Sequence, residues 1–109
     1  MSIAPFRTMW TFVMFDLPVK SKQDRREYTK FRQKLLKLGL VQLQYSIYAK
    51  AMPSEDAGEH LASIVHMALP PRGDVRILKI TDRQFGKMEV YSSRKSQTVE
   101  DDAEQISLF

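Results

Sequence analysis

The carboxylate at the end of the first apolar segment is a side chain that could either bind a cation or accept hydrogen bonds. Asp16 follows a run of apolar and aromatic residues and comes two positions before Pro18. Proteins usually hold Mg²⁺ with one or two carboxylates plus water and phosphate oxygens, so a single aspartate is a poor site on its own. A two-fold axis near Asp16 would supply a second carboxylate, and the pair could then hold one Mg²⁺ that activates water. The residues alone favour the structural interpretation, in which Asp16 accepts hydrogen bonds in the turn before Pro18.

Basic side chains form the second group with a recognisable chemistry. The 109-residue chain has a net charge of +4, and residues 1–52 contain 10 Lys and Arg against 3 Asp and Glu. A basic stripe between residues 20 and 37 is typical of a protein with a polyanionic partner, although a solvated helix face is the alternative. Without a base-reading motif, such a stripe binds phosphates regardless of sequence. The candidate nucleic-acid-binding residues are Arg25, Arg26, Lys30, Arg32 and Lys34.

Residue type or spacing excludes several other chemistries. His60 and His66 are six positions apart, so they cannot form the i, i+4 zinc pair of an HExxH helix. The absence of cysteine excludes a disulfide scaffold, a zinc finger and a thiol nucleophile, and it fits a reducing compartment. Neither a GxxxxGK[ST] loop nor a GxGxxG turn occurs. The apolar run before Asp16 is too short for a signal peptide or a membrane span, so we expect a soluble, cytoplasmic protein.

The first two elements must position Asp16 and the basic stripe. Residues 9–17 predict a central strand covered on both faces. Apolar residues at helical spacing follow, and Gly39 marks the end of this helix, with Ser21 or Asp24 as its N-cap. The side chains that share one face of the strand are Trp10, Phe12, Met14 and Asp16.

The next apolar segment predicts a strand with one polar face. Polar and apolar residues alternate through residues 40–50, so we interpret them as one strand. Its polar face carries Ser46 and Tyr48. These two residues either line a dimer cleft near Asp16 or are ordinary strand residues.

The remaining elements are defined by caps and breaks. Ser54 is the expected N-cap of a second amphipathic helix, which ends before Pro70. Residues 75–80 are rich in β-forming side chains and predict a strand. Residues 81–86 resemble a single capped helical turn, and residues 87–91 are interpreted as a short edge strand.

Two helices interleaved with strands predict an α+β protein with a ferredoxin-like βαββαβ sandwich and an antiparallel sheet. Both helices would lie on one side, leaving the other sheet face uncovered. A second copy related by a two-fold axis is the simplest cover, so we expect a homodimer through the sheet faces. The ferredoxin-like domain is expected to span residues 1–91, with an acidic linker and an apolar tail strand in residues 92–109.

Four blocks of sequence resemble a known family in their order and spacing. They are residues 13–17 (VMFDL), 24–28 (DRREY), 38–48 (LGL leading into QYSIY) and 73–81 (GDVRIL leading into IT). The family is the second of the two universal CRISPR-associated proteins, the small subunit of the spacer-acquisition complex, also known as a CRISPR-associated endoribonuclease. Residues 15–19 and 81–88 look most like members from systems with a single large RNA-guided effector nuclease.

The resemblance implies a homodimer that bridges two dimers of the CRISPR integrase subunit and binds the double-stranded DNA fragment to be inserted as a new spacer. It also makes Asp16 the candidate Mg²⁺ ligand and catalytic residue, because some relatives are metal-dependent nucleases acting on RNA or double-stranded DNA. In the acquisition complex we expect the structural role to dominate. The alternatives are a metal-dependent endoribonuclease toxin of the related virulence-associated family and a plain nucleic-acid-binding ferredoxin-like module.

The C-terminal residues carry the last prediction. Residues 92–104 are polar and acidic without apolar periodicity, which is typical of a linker. An apolar segment at the end of a linker can add to a sheet edge as a docking strand. The integrase subunit is the first expected partner and the dimer mate's sheet edge the second, while a merely solubilising tail is the alternative. The docking residues would be Ile106, Leu108 and Phe109.

Overall fold

The computed structural model describes residues 8–93, which form one antiparallel sheet and three helices. The strands are ordered β2-β3-β1-β4, so the predicted ferredoxin-like α+β arrangement is confirmed, while the homodimer stays a prediction. None of the helices in this part of the chain is long and apolar enough to cross a membrane. The elements are β1 (Met9–Asp16), α1 (Lys22–Lys37), β2 (Val41–Gln44), β3 (Ile47–Met52), α2 (Glu55–Met67), β4 (Asp74–Thr81) and α3 (Asp82–Gly86).

Strand β1 occupies the centre of the sheet. It pairs with β3 on one side and, along its whole length, with β4 on the other. Its side chains alternate between two apolar clusters. Val13 and Phe15 pack with residues of α1 and α2, whereas Trp10 and Phe12 lie on the opposite sheet face. The prediction of a central strand covered on both faces is therefore confirmed.

Helix α1 begins with a capping box that uses both residues proposed for its start. The Ser21 hydroxyl accepts a hydrogen bond from the Asp24 backbone N–H (2.9 Å), and the Asp24 carboxylate accepts one from the Ser21 N–H (3.2 Å). Arg72 also contacts the Asp24 carboxylate at 3.1 Å. These partners, above all the Ser21 N–H, hold the pKa of Asp24 below its ordinary value. At the other end, Gly39 adopts a φ of +90° and leads into β2.

The prediction of one strand over residues 40–50 is wrong, because the chain reverses within it. Strand β2 ends at Gln44 and β3 begins at Ile47, and the two pair as an antiparallel hairpin. The ladder also shifts register between Gln42 and Gln44. Since the alternation continues through the turn and neither Gly nor Pro marks it, the sequence pattern alone does not reveal the reversal.

The elements after the hairpin follow the sequence signals until residue 86. The Ser54 hydroxyl caps α2 by accepting from the Ala57 N–H at 3.1 Å, and α3 is a capped helical turn as predicted. The edge strand predicted at residues 87–91 is wrong, since this segment joins no ladder. Instead, the Met88 N–H donates to the Phe85 carbonyl at 3.1 Å, and the Met88 side chain packs on the Trp10 cluster.

Helix α3 partly covers the sheet face that lies opposite α1 and α2. The rings of Trp10 and Phe85 stack at 3.9 Å, and the Trp10 Nε1–H donates to the Asp82 carboxylate at 2.9 Å. The expectation that this face is bare is therefore correct only in part. Leu78, on β4, remains 46% exposed on the same face.

Candidate metal and nucleic-acid site

Asp16 is exposed and ends the central strand β1. Its register partner on β4 is Asp74, also exposed, so two carboxylates stand directly opposite each other in the ladder. Directly opposed residues in an antiparallel pair have Cβ atoms about 4.5–5.5 Å apart, and like charges in this position repel. A cation bound there would relieve that repulsion. Sequence reasoning missed Asp74 because the register between β1 and β4 cannot be read from either strand alone.

The turn before Asp74 approaches the end of β1 closely. Gly73 has a φ of +100°, and a Cβ added to it would lie 2.8 Å from the Asp16 carbonyl oxygen and 2.7 Å from Leu17 Cδ2. Only glycine allows both this backbone conformation and this distance without strain. Gly73 therefore fixes the position of the β4 start against the strand end that carries Asp16.

The β2–β3 turn lies on the other side of the same strand end. The Phe15 N–H donates to the Ser46 carbonyl at 3.1 Å, which places the turn beside Asp16 in the backbone. Tyr45, in this turn, is 74% exposed. Sequence reasoning placed Tyr45 in a continuous strand and gave it no role.

The assignment of Tyr48 to a polar strand face is wrong. Tyr48 is fully buried, and its ring stacks on Phe15 at 5.7 Å on the side covered by the helices. Tyr48 and Ala49 do lie on opposite faces of β3, as the alternation predicts. However, β3 is covered on both faces, so the face that carries Tyr48 is not polar. Ser46 lies in the turn that precedes β3. Because Tyr48 is buried beneath the helices, it does not line a surface cleft, whereas a dimer cleft that includes Ser46 stays a prediction.

The donor set of a single chain fits a weakly held, hard cation. In residues 8–93, no group of three or more His, Cys, Asp or Glu side chains is arranged to hold a metal ion. Asp16 and Asp74 supply carboxylate oxygens, and Mg²⁺ is commonly bound by one or two carboxylates with water and phosphate oxygens completing its shell. These two residues would therefore suit Mg²⁺ together with a nucleic-acid phosphate.

The five basic residues singled out in the sequence occupy two stripes of α1. Arg26, Lys30 and Lys34 follow one another at i, i+4 spacing and are all exposed. Arg25 and Arg32, two turns apart, lie on a second stripe. The Arg25 guanidinium donates to the carbonyls of residues 19 (3.2 Å) and 20 (2.9 Å), so it also holds the chain before α1. Arg32 is half-buried.

The tyrosines near the turn form a stacked group. Tyr28, on α1, lies between Tyr45 (ring centroids 5.9 Å apart) and Phe15 (5.8 Å). Burial is the largest cause that raises the pKa of Tyr28. The hydroxyl of Tyr48 is buried without a hydrogen-bond partner among the described residues. The predicted docking residues Ile106, Leu108 and Phe109 lie outside residues 8–93.

Comparisons with known proteins identify the family. The family model described as "CRISPR associated protein Cas2" matches residues 9–88. The chain belongs to the Cas2 family. The "CRISPR-associated endoribonuclease Cas2" of Parvibaculum lavamentivorans is 38% identical over 101 residues, covering 93% of this chain and all of the relative. That of Flavobacterium psychrophilum is 34% identical over 104 residues, covering 95% and 90%.

A solved structure supports the fold. The chain titled "Crystal structure of cas2" superimposes with a TM-score of 0.52 at 22% identity, covering 84% of this chain and 94% of that one. The family resemblance seen in the sequence is confirmed by these comparisons. They favour the CRISPR-associated interpretation over the virulence-associated toxin family.

Substitution of Gly73 tests the contact that positions Asp16. We expect Gly73→Ala to lower the free energy of unfolding by about 1–2 kcal/mol, because a left-handed conformation costs a residue with a Cβ roughly that much. The close approach to Asp16 and Leu17 can only increase this cost. Urea unfolding followed by circular dichroism measures it.

The matched control for this experiment is Gly86→Ala. An added Cβ at Gly86 meets nothing within 4 Å, and its φ is not positive. Since Gly86 is helical, this variant should be unchanged or up to about 1 kcal/mol more stable. Equal effects of the two substitutions would contradict the proposed contact.

Proposed function

We propose that this member of the Cas2 family is a subunit of the CRISPR spacer-acquisition complex that binds double-stranded DNA through phosphates and bridges integrase dimers as a homodimer. The exposed stripe of Arg26, Lys30 and Lys34 carries the proposal. The ion pairs found in residues 8–93 join Arg72 to Asp24 and Lys79 to Glu59, so neither neutralises this stripe. Cations that face solvent without an ion-pair partner in this part of the chain are available for phosphates, which supply most of the affinity in non-specific DNA binding.

The surface proposed for the homodimer is the sheet face opposite α1 and α2. Leu78 is exposed there, and Met14 and Ile47 are only half-buried. Apolar side chains on a sheet face that α3 covers only in part favour a second sheet as the cover. This face lies on the other side of the sheet from the basic stripe, so dimerisation leaves the stripe free. The apolar residues of the tail would then add the contact with the integrase subunit.

A second proposed activity is Mg²⁺-dependent cleavage of a phosphodiester. It is supported by the opposed carboxylates of Asp16 and Asp74 and by relatives that are named endoribonucleases. Asp16 would hold Mg²⁺, together with Asp74 or with Asp16 of a second copy, and the ion would neutralise charge on the phosphate and lower the pKa of a bound water. The end of β1, paired with β4 and joined to the β2–β3 turn by the Phe15–Ser46 hydrogen bond, would keep the backbone of Asp16 in place.

Removal of the basic stripe should weaken DNA binding in a salt-dependent manner. For the triple variant Arg26→Ala, Lys30→Ala and Lys34→Ala, the slope of log K against log salt should flatten by about 0.9 for each phosphate that the protein no longer neutralises. Fluorescence anisotropy with duplexes of unrelated sequence measures this slope between low and physiological salt. The control variant, Arg83→Ala with Lys87→Ala, removes exposed cations at α3. If the control flattens the slope and the triple variant does not, DNA binds elsewhere.

Leu78→Glu should convert the dimer into a monomer. Light scattering of the wild-type protein at micromolar concentration should give about twice the 12.7 kDa chain mass, and the variant should give one chain mass. A charge buried in an apolar interface is costly, which is the physical reason for dissociation. Met67→Glu is the control, since Met67 is 87% exposed at the end of α2, away from this face. A wild-type monomer, or a dimer that Leu78→Glu leaves intact, would refute this interface.

Asp16→Ala should abolish Mg²⁺-dependent cleavage while leaving the dimer, DNA binding and spacer acquisition largely intact. One carboxylate per subunit is removed, but the basic stripe and the sheet face remain. Cleavage of labelled RNA and of double-stranded DNA is measured with Mg²⁺ and again with EDTA. Comparison of the two nucleic acids identifies the substrate. Asp56→Asn, an exposed carboxylate on α2, is the control. Loss of acquisition by a folded, dimeric Asp16→Ala protein would mean that the subunit acts there as a catalyst.

A further inference from the structure

The β2–β3 turn presents an aromatic ring that is exposed but held in place. Tyr45 is 74% exposed, yet its ring is stacked on that of Tyr28, with centroids 5.9 Å apart and planes at 27°. Tyr28 in turn contacts Phe15 edge-on at 5.8 Å. One side of the Tyr45 ring is thus supported by a chain of aromatic contacts that reaches the core. The other side faces solvent.

The position of this ring relates it to the end of β1. The Phe15 N–H donates to the Ser46 carbonyl at 3.1 Å, so the turn is tied to the residue that precedes Asp16. A strand of nucleic acid with a phosphate at Asp16 therefore passes close to the turn.

We propose that Tyr45, supported by Tyr28, is a stacking platform for one unpaired base of a single-stranded nucleic acid bound across the end of β1. The inference rests on the proposed nucleic-acid function and adds to it a preference for unpaired nucleotides. A base inside a duplex has both faces covered by its neighbours, whereas an unpaired base has a free face for an aromatic side chain. Because every base has such a face, the platform selects single-strandedness and not sequence.

The experiment measures binding separately from cleavage. The full-length protein is titrated in EDTA with a single-stranded oligonucleotide containing 2-aminopurine, whose fluorescence falls when the base stacks. RNA and DNA versions of the oligonucleotide show which of the two nucleic acids supplies the unpaired base. A duplex of the same length tests the preference for single strands.

Three variants give the expected pattern. Tyr45→Ala should weaken binding of the single strand by roughly 5- to 150-fold, the range that corresponds to the stacking of one base, and should remove the fluorescence quenching. Tyr45→Phe, which keeps the ring, should bind and quench like the wild type. Tyr91→Ala is the matched control, since Tyr91 is 86% exposed but lies after α3. It should leave both readouts unchanged.

An abasic nucleotide identifies the stacked position. Replacing successive nucleotides with abasic ones should reveal one position at which the drop in affinity matches that of Tyr45→Ala. At that position the two changes should not add, because both remove the same stacking interaction. Equal binding of the single strand by wild type and Tyr45→Ala, or an equal drop for single strand and duplex, would overturn the platform.

The outcomes also separate this inference from the proposed nuclease activity. Single-strand binding that depends on Tyr45 in a protein that cleaves nothing supports the platform and refutes the nuclease proposal. Cleavage that depends on Asp16, with unchanged KM and unchanged quenching in Tyr45→Ala, refutes the platform and supports the nuclease proposal. Circular dichroism verifies the fold of each variant.

Discussion

The structure depends on the burial of one strand. Strand β1 has hydrogen-bonded neighbours on both sides and apolar clusters on both faces, so it has neither a free edge nor a solvent-exposed surface along most of its length. Its polar backbone groups are satisfied by the ladder, and its large side chains are removed from water. Asp16 is the first exposed residue at the end of this strand. The backbone that carries this carboxylate is therefore fixed by the sheet up to the strand end.

Segments distant in sequence converge on Asp16 because β1 is central. The turn at Gly73 reaches it from the β4 side, through a backbone approach that excludes any side chain. The hairpin turn reaches it from the β3 side, through the hydrogen bond from Phe15 to Ser46. Both contacts are consequences of strand order, and strand order follows from the two crossovers through α1 and α2. The surroundings of Asp16 are therefore a property of the topology.

The sequence was sufficient to predict what depends on local pattern. The helices were found from apolar spacing and from caps such as Ser54, and the central strand from its nearly continuous apolar run. The Asp16 position at a strand end was also predicted, since the run stops there. The ferredoxin-like class was inferred from two helices interleaved with strands, although residues 40–50, which form the hairpin of that fold, were interpreted as one strand. These features depend on residues close together in the chain, where propensity and pattern act.

The features that could not be predicted depend on strand register and on which side chains pack on which sheet face. The reversal at Tyr45–Ser46 lacks a glycine or proline, so residues 40–50 looked like one strand, and Tyr48 was placed on a polar face although it is buried beside Phe15. The pairing of Asp16 with Asp74 requires knowledge of two strands at once. The segment after α3 has the pattern of an edge strand, but packing of Met88 beside Trp10 and Phe85 places it on the sheet face instead.

The fold separates three surfaces that the proposed functions would use. Helix α1 buries Phe31 and Leu35 against the sheet, which directs Arg26 and Lys30 to solvent on the opposite side of the helix. The exposed Leu78 lies across the sheet from that layer, and Asp16 lies at a strand end. A polyanion along α1 and a second copy on the sheet face would thus occupy opposite sides of one small domain, and a cation at Asp16 would lie at the rim. Because a two-layer sandwich has two outer surfaces and a rim, binding at one of them does not require the others to be vacated.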